Sequence, residues 1–558
     1  SDADRNARHV ALANEAYHLG PATPAQSYLN AEKLLAVAAQ CGADAVHPGY
    51  GFFAENAGFA RAVIAAGLTW IGPHPDAIDA MGDKIRARQA AIAAGVPVVP
   101  GGTDPLLDGA DARAAAQRYG LPLALKASGG GGGKGLKVAR TLDEVEQAFS
   151  IAQREARAYF GNPIVYAERY LENPKHIELQ ILADKHGRVL QVGERDCSLQ
   201  RRHQKLWEEA PALISERVRN EMRRAGIALA AAIGYDSVGT IECLVSGDEF
   251  FFLEMNTRIQ VEHTVSEMVS GLDLVREQIL VAAGRPLTYA QADIDHGMRG
   301  HAIEVRVNAE DPAADFRPAP GVVTHYREPG GYGVRVDSAA FAGFEITPDY
   351  DSMIAKLIVW GRDRSEALAR LDRAIGEYTI VGVPTTLPLL RALVEFAPVI
   401  DATYGTQTLE PFAASLPAAV GTDETPTPDG DAPAPDRERD GTLRVEVNDR
   451  LFRVRFIDLP DLGLGSVTMS APKKKPVRSA RGTTPTQTGD DVLAPMHGVV
   501  VEIPLQIGQN VAVGDVVAVI EAMKMMNEIR AHQAGTVQAI HVGAGATVEA
   551  RTKLVTIA

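Results

Sequence analysis

The sequence predicts an α/β protein that ends in a separate, small all-β unit. Three observations carry this reading. Residues 1–97 alternate short apolar strands with helical stretches, which implies βαβ units and a mostly parallel sheet. Residues 491–558 contain an internal repeat with an offset of 37. Between these regions, 417–441 and 470–490 are rich in polar residues, Pro and Gly, have no apolar periodicity, and read as linkers.

Residues 43–47 read as a buried strand, 56–66 as a helix and 68–71 as the next strand. Residues 98–170 follow as strand, glycine loop, strand, helix, strand. Residues 171–416 form a larger mixed α/β region with hairpins. In 442–469, Leu443, Val445 and Val447 alternate with polar residues, as do Phe452, Val454 and Phe456 around Asn448-Asp449. That is a small hairpin, too small to stand alone and so a candidate docking element. In 491–558, Gly498 matches Gly535, Val500 matches Val537, Ile503 matches Ile540, Leu505 matches Val542, Gly508 matches Gly545 and Val511 matches Val548. Two such copies can close into a flattened, barrel-like sandwich. Lys524 falls midway between them, at an expected exposed hairpin tip; on position alone it is a surface lysine.

Length and charge exclude several classes. The 558 residues exceed one core and predict three or four domains. A net charge of −15 argues against nucleic acid as a partner. Three cysteines without a CxxC pattern fit a reducing compartment. With neither a signal peptide nor a membrane-length apolar run, the expected location is the cytoplasm.

Two constellations carry chemistry. Five glycines at 129–133, followed by Lys134 and Gly135, come after a strand that ends near Lys126. Backbone amides there can approach an anion closely. Ser128 and Gly135 break the Walker A pattern. A flexible linker is the alternative, but Lys126 and the next strand favour a phosphate-covering flap. The second constellation is Glu242 and Glu254, on two strand-like segments. A three-residue loop at 247–249 would set them opposite each other on one face. Two such carboxylates repel unless a cation bridges them, and hard oxygens suit Mg²⁺ or Mn²⁺; a salt-bridged structural pair is the alternative. Continued alternation would bring Asn256, Arg258, Gln260 and Glu262 to the same side. Arg258 could then hold a planar oxyanion and Glu262 take its proton.

These motifs resemble the ATP-grasp fold and, within it, biotin carboxylase. Supporting segments are His47-Pro48-Gly49-Tyr50-Gly51-Phe52, Met81-Gly82-Asp83-Lys84, Arg195-Asp196-Cys197-Ser198 and Tyr350-Asp351-Ser352-Met353. Ala522-Met523-Lys524-Met525 is similar to the turn of a biotinyl carrier domain, and the flanking methionines point to biotin. The resemblance implies residues 1–97 as the N-terminal carboxylase domain, 98–170 as the lid, 171–416 as the ATP-grasp core and C-terminal domain, and 491–558 as the carrier. It implies ATP contacts at Lys84, Lys126, His176 and the flap glycines Gly130, Gly131, Gly132 and Gly133. Glu168, Arg169 and Leu171 match adenine positions, and Gln200 and His203 match ribose contacts. Two metal ions would sit on Glu242, Glu254 and Asn256. Bicarbonate would sit on Arg258, Gln260 and Val261, with Glu262 as general base. Lys205 lies near the γ-phosphate, Arg335 stabilises the biotin enolate, and Lys524 carries the biotin.

The family resembled is the alpha subunit of biotin-dependent acyl-CoA carboxylases. It implies a separate carboxyltransferase beta subunit, a biotin protein ligase, and a hetero-oligomer with several alpha subunits. The acyl-CoA would be acetyl-CoA or propionyl-CoA. Methylcrotonyl-CoA, pyruvate and urea systems share the same front half, and a non-catalytic carrier or scaffold is a further alternative. The family normally starts with another strand–helix–strand, so the natural chain is expected to be longer by about 35 to 40 residues.

Overall fold

The computed structural model describes the chain except residues 103, 129–134, 161, 203, 417–441, 448–449, 456–489, 496–497, 523–524 and 550. Side chains at 158–160, 442–447, 450–455, 522, 525–526 and 547 are likewise outside the description. The flap glycines Gly130 to Gly133, His203, Lys524 and most of both linkers therefore lie outside the described residues.

The N-terminal region pairs Ala45–Val46 in parallel with Thr69–Trp70. The helix between them, Ala57–Ala65, starts where the Asn56 side chain accepts the Phe59 amide at 2.7 Å. Its Phe59, Ala60 and Val63 pack on Trp70 and Ile78. The strand expected over 43–47 contracts to two half-buried residues, because Asp44 and Val46 take only two amides from the neighbouring segment.

A three-stranded antiparallel sheet follows, with Leu123–Ala127 between Leu136–Ala139 and Val165–Arg169. Helices Gly109–Tyr119 and Val145–Phe160 cover it through alanines: Ala112, Ala115 and Ala116 face Ala148, Ala152 and Ala156. The first of these helices was not anticipated. Its buried face is nearly all alanine, which gives little hydrophobic contrast in sequence.

The centre is an eight-stranded antiparallel sheet that joins segments from Lys175 to Gly361. Most of its strands are buried on both faces, and near the site one face is apolar and the other polar. On Lys175–Ala183, Ile177, Leu179 and Ile181 pack on Met222 and Leu229 of helix Glu216–Ala232. His176, Glu178 and Gln180 alternate with them on the other face and are equally buried. Strand Val238–Ser246 repeats this division, with Ile241, Cys243 and Val245 in the same core and Thr240 and Glu242 opposite. On His301–Asn308 the apolar residues are Ile303, Val305 and Val307, and the polar ones Glu304, Arg306 and Asn308.

Residues 491–558 form two four-stranded sheets that the 37-residue offset superimposes. Gly498–Glu502, Asn510–Val511 and Val516–Ala522 in one copy become Gly535–Ile540, Thr547–Val548 and Lys553–Ile557 in the other. The repeated glycines mark the tightest crossing. A Cβ on Gly498 would lie 2.4 Å from the Glu521 carbonyl oxygen, and one on Gly535 2.9 Å from that of Ala558. Glu521 and Ala558 are themselves one offset apart. Val500, Val517, Ile520, Val537, Leu554 and Val555 fill the space between the sheets. Ala522 pairs with Met525, and residues 523 and 524 fall between them.

Candidate active site

The buried polar face of the central sheet gathers charge around Lys205, at the start of strand Gln204–Ala210. Its Nζ donates to Glu242 Oε1 at 2.9 Å, to Glu262 Oε1 at 2.8 Å, and to Glu178. Burial would strip this proton, but the three carboxylates overrule it and hold the ammonium well above the usual lysine range. Glu178 also binds Arg195, fully buried, whose guanidinium reaches Gln180, Thr240, Ser266 and Gln260. One fixed cation thus ties four segments of the site together.

Glu242 and Glu254 stand opposite each other, as expected, but by a different route. The turn at Gly247-Asp248 has two residues, pairing Ser246 with Glu249, and a bulge between Phe252 and Glu254 restores the register. The two acids then diverge. Glu242 is buried, accepts Asn256 Nδ2 at 2.8 Å and Gln260 Nε2 at 2.7 Å, and lies 3.1 Å from His176 Nε2. Burial opposes its charge, yet Lys205 and His176 hold its carboxyl well below the ordinary range. Glu254 is half-buried, 3.7 Å from Lys84 Nζ, and burial followed by the charge of Glu242 pushes it up. Despite its burial, Glu242 and Glu178 raise His176 to about 9.

The alternation expected through residue 262 fails. The strand ends at Asn256, and the chain bends so that Glu262 begins helix His263–Ser270. Strand periodicity still places Asn256 on the face of Glu242, and the bend brings Gln260 onto the same acid. The bend turns Arg258 towards Glu55 of the N-terminal region, with Nε to Oε2 at 2.9 Å; Arg258 also reaches Asn256 Oδ1 at 2.9 Å. The Val261 carbonyl accepts Lys356 Nζ at 2.6 Å.

Arg335 does not touch Glu262; it binds Glu267 at 2.7 Å and Asp337 at 2.8 Å through both Nε and Nη2. The arginine on Glu262 is Arg306, whose Nη2 donates to Oε2 at 3.0 Å while its Nε donates to Glu208. Sequence reasoning missed Arg306, although a buried strand reading His-Ala-Ile-Glu-Val-Arg-Val-Asn should have drawn notice for its alternate charges. It also missed Glu55 and Glu178, and it named Arg195 only within a supporting segment, without a role.

Lys126, Glu168 and Arg169 lie on the three-stranded sheet, Leu171 just beyond it, and Gln200 on the central sheet. Lys126 binds Glu168, and Arg88 lies 3.6 Å from the same carboxylate. Leu171 packs with Val99 and Phe251, and the Arg169 guanidinium lies 5.6 Å from the Phe251 ring centre. Gln200 is buried and paired in register with Lys205. Among the described residues, no helix is long and apolar enough to cross a membrane.

Comparisons with known proteins match this architecture along the chain. Residues 1–78 match the family "Biotin carboxylase, N-terminal domain", 83–290 match "Carbamoyl-phosphate synthase L chain, ATP binding domain", and 304–411 match "Biotin carboxylase C-terminal domain". Residues 490–557 match "Biotin-requiring enzyme". The biotin-dependent acyl-coenzyme A carboxylase alpha3 subunit of Mycobacterium leprae is 43% identical over 100% of this chain and 93% of its own length. The biotin carboxylase of Haemophilus influenzae is 50% identical over 71% of this chain and 88% of its own. Among solved structures, a biotin carboxylase–beta-gamma-ATP complex from Campylobacter jejuni superimposes with a TM-score of 0.70 and 42% identity, covering 73% of this chain and 91% of that one. The biotin carboxylase domain of a Hydrogenobacter thermophilus 2-oxoglutarate carboxylase gives 0.70 and 45%, over 75% and 91%. The chain belongs to the family of biotin-dependent acyl-CoA carboxylase alpha subunits, ATP-dependent ligases that combine a biotin carboxylase with a biotin carrier domain.

Proposed function

We propose that this chain uses ATP to fix bicarbonate onto biotin carried by Lys524, and passes the carboxyl group to a separate carboxyltransferase subunit acting on acetyl-CoA or propionyl-CoA. The observation that carries the chemistry is the Lys205–Glu262–Arg306 cluster. Glu262 is buried and held as a carboxylate between two cations, with Lys205 and Arg306 overcoming the effect of burial. In that state it is a weak base. An anionic phosphate beside Lys205 would draw the ammonium away and raise the proton affinity of Glu262. Substrate binding itself then readies the base to take the bicarbonate proton.

Arg258 and Gln260 are the proposed bicarbonate ligands. Arg258 must exchange Glu55 for the substrate, which couples bicarbonate binding to the N-terminal region. Arg306, beside the base, is assigned to hold negative charge at the acceptor's carbonyl oxygen. Lys84, Lys126, Glu168, Arg169, Leu171, His176, Gln200 and His203 are proposed to hold ATP, beneath the glycine flap. Glu242, Glu254 and Asn256 offer hard oxygens, and a cation between the two acids would relieve the repulsion that raises Glu254; the donor set fits Mg²⁺ or Mn²⁺. Such ions would neutralise phosphate charge. The biotin ring, when attached, supplies the nitrogen that accepts the carboxyl group.

The domain limits proposed are those read from sequence, with the linkers 417–441 and 470–490 letting the carrier travel. A biotin protein ligase would load Lys524, and several alpha subunits would join the carboxyltransferase in a cytoplasmic complex. The test is ATP hydrolysis by the isolated chain. The reading predicts hydrolysis that requires bicarbonate and is stimulated by free biotin; hydrolysis indifferent to both would overturn it. Assays of the assembled complex with acetyl-CoA and propionyl-CoA decide the acceptor.

A further inference from the structure

Two buried carboxyl groups beneath the site play no part in the chemistry above. Glu208 and Glu304 are directly opposite each other on the antiparallel strands Gln204–Ala210 and His301–Asn308, and neither is exposed to solvent. Directly opposed residues on one face hold their Cβ atoms about 5 Å apart. Glu208 Oε1 accepts Arg306 Nε at 2.6 Å, and Glu304 Oε2 accepts the Thr264 hydroxyl. The second oxygen of each, Glu208 Oε2 and Glu304 Oε1, is buried and accepts no hydrogen bond. Two orphaned carboxylate oxygens in one buried place are expensive.

The surrounding cations, Arg306 and Lys356, offset the burial of the pair only in part, because each is engaged elsewhere. Arg306 is shared with Glu262, and Lys356, on strand Met353–Gly361, gives its Nζ to the Val261 carbonyl and lies 3.7 Å from Asp337. The other titratable groups facing the pair are Glu262, Cys197 and Tyr50, none of which brings a positive charge. An acid proton held between them would satisfy both orphaned oxygens.

We propose that Glu208 and Glu304 share a single proton at neutral pH, forming a carboxyl–carboxylate pair of net charge −1 that positions Arg306 against Glu262. Burial, opposed by Arg306 and reinforced by Glu304, pushes Glu208 up to about 8, and burial raises Glu304 as well. With both acids ionised, the pair would compete with Glu262 for the guanidinium; with one proton, Arg306 bridges both sides. Glu208 and Glu304 are positioning residues, and this part of the inference rests on the roles proposed for Arg306 and Glu262. The shared proton itself does not.

Infrared difference spectra of the full chain test the proton without reference to activity. Wild type minus Glu208→Gln at neutral pH is expected to show a protonated-carboxyl C=O band, because the remaining Glu304 ionises against the amide donor. Glu304→Gln should remove the same band. Its absence from both differences overturns the proposal. Where a variant does not fold, the wild type alone decides: a carboxyl band present at neutral pH and lost on raising the pH supports the pair, and no carboxyl band surviving at neutral pH overturns it. In the free-biotin-stimulated ATPase, the double Gln variant should lose about tenfold more than either single variant. Singles as impaired as the double would overturn it.

Discussion

At the scale of single residues, the site depends on where two arginines and one glutamate are held. Glu262→Gln keeps the shape and removes the base, and should lower bicarbonate-dependent ATP hydrolysis by about 10²-fold or more. Arg306→Met should impair biotin carboxylation to a similar degree, about 10²-fold, whereas Arg335→Met, which loses only Glu267 and Asp337, should impair it far less. Steady-state assays with free biotin compare the two; the reverse order would return the role to Arg335. The sequence revealed the residues that lie close together along the chain. Glu242, Asn256, Gln260 and Glu262 were legible as one group, although a bend after Asn256, rather than a continued strand, brings in Gln260 and Glu262. Arg306 was not, because its partners Glu208 and Glu262 are far away in sequence and only the sheet order brings them together.

At the scale of elements, buried ionic contacts fasten strand to helix. Glu209 accepts Arg364 through both oxygens at 2.7 and 2.8 Å, His301 at 2.8 Å and Tyr404 at 2.9 Å. Burial resists its charge, but Arg364 and His301 hold it well below the usual carboxylate range. Glu209→Ala should destabilise the chain by about 3 kcal/mol or more, read by denaturant unfolding. His263 contributes with the opposite chemistry. Burial, with Lys356 and Arg335 nearby, lowers it to about 4 from 6.5, so the fold prefers the neutral ring. The unfolded chain then binds more protons, and stability is lost as the pH falls from 6.5 towards 4. Thermal unfolding across that window should show a shallower loss in His263→Gln than in wild type. In the carrier, Gly498→Ala and Gly535→Ala should each lower stability by about 1–3 kcal/mol, since backbone stands where the methyl group would go. The repeat made the pairing of these two glycines legible, and the structure shows the close approach that both serve. The Gly109–Tyr119 helix was hidden by its alanine face, and the Glu242–Glu254 register was reached through a bulge that no sequence pattern marks.

At the scale of the whole molecule, two chemically distinct units share one chain. The alternation of strands and helices, the glycine run and the repeat around Lys524 all pointed to that division. What could not be read was the antiparallel order of the central sheet, which depends on pairings between strands far apart in the chain, such as Trp207 with Val305. Lys524→Ala should abolish acyl-CoA carboxylation in the assembled complex while leaving free-biotin-stimulated ATP hydrolysis intact. The most direct measurement is mass spectrometry of the biotinylated full chain after incubation with Mg²⁺, ATP and isotopically labelled bicarbonate. The account predicts labelled carboxyl on the biotinylated Lys524 peptide, dependent on ATP and missing from Glu262→Gln. A biotinylated chain that hydrolyses ATP but never labels that peptide would contradict it.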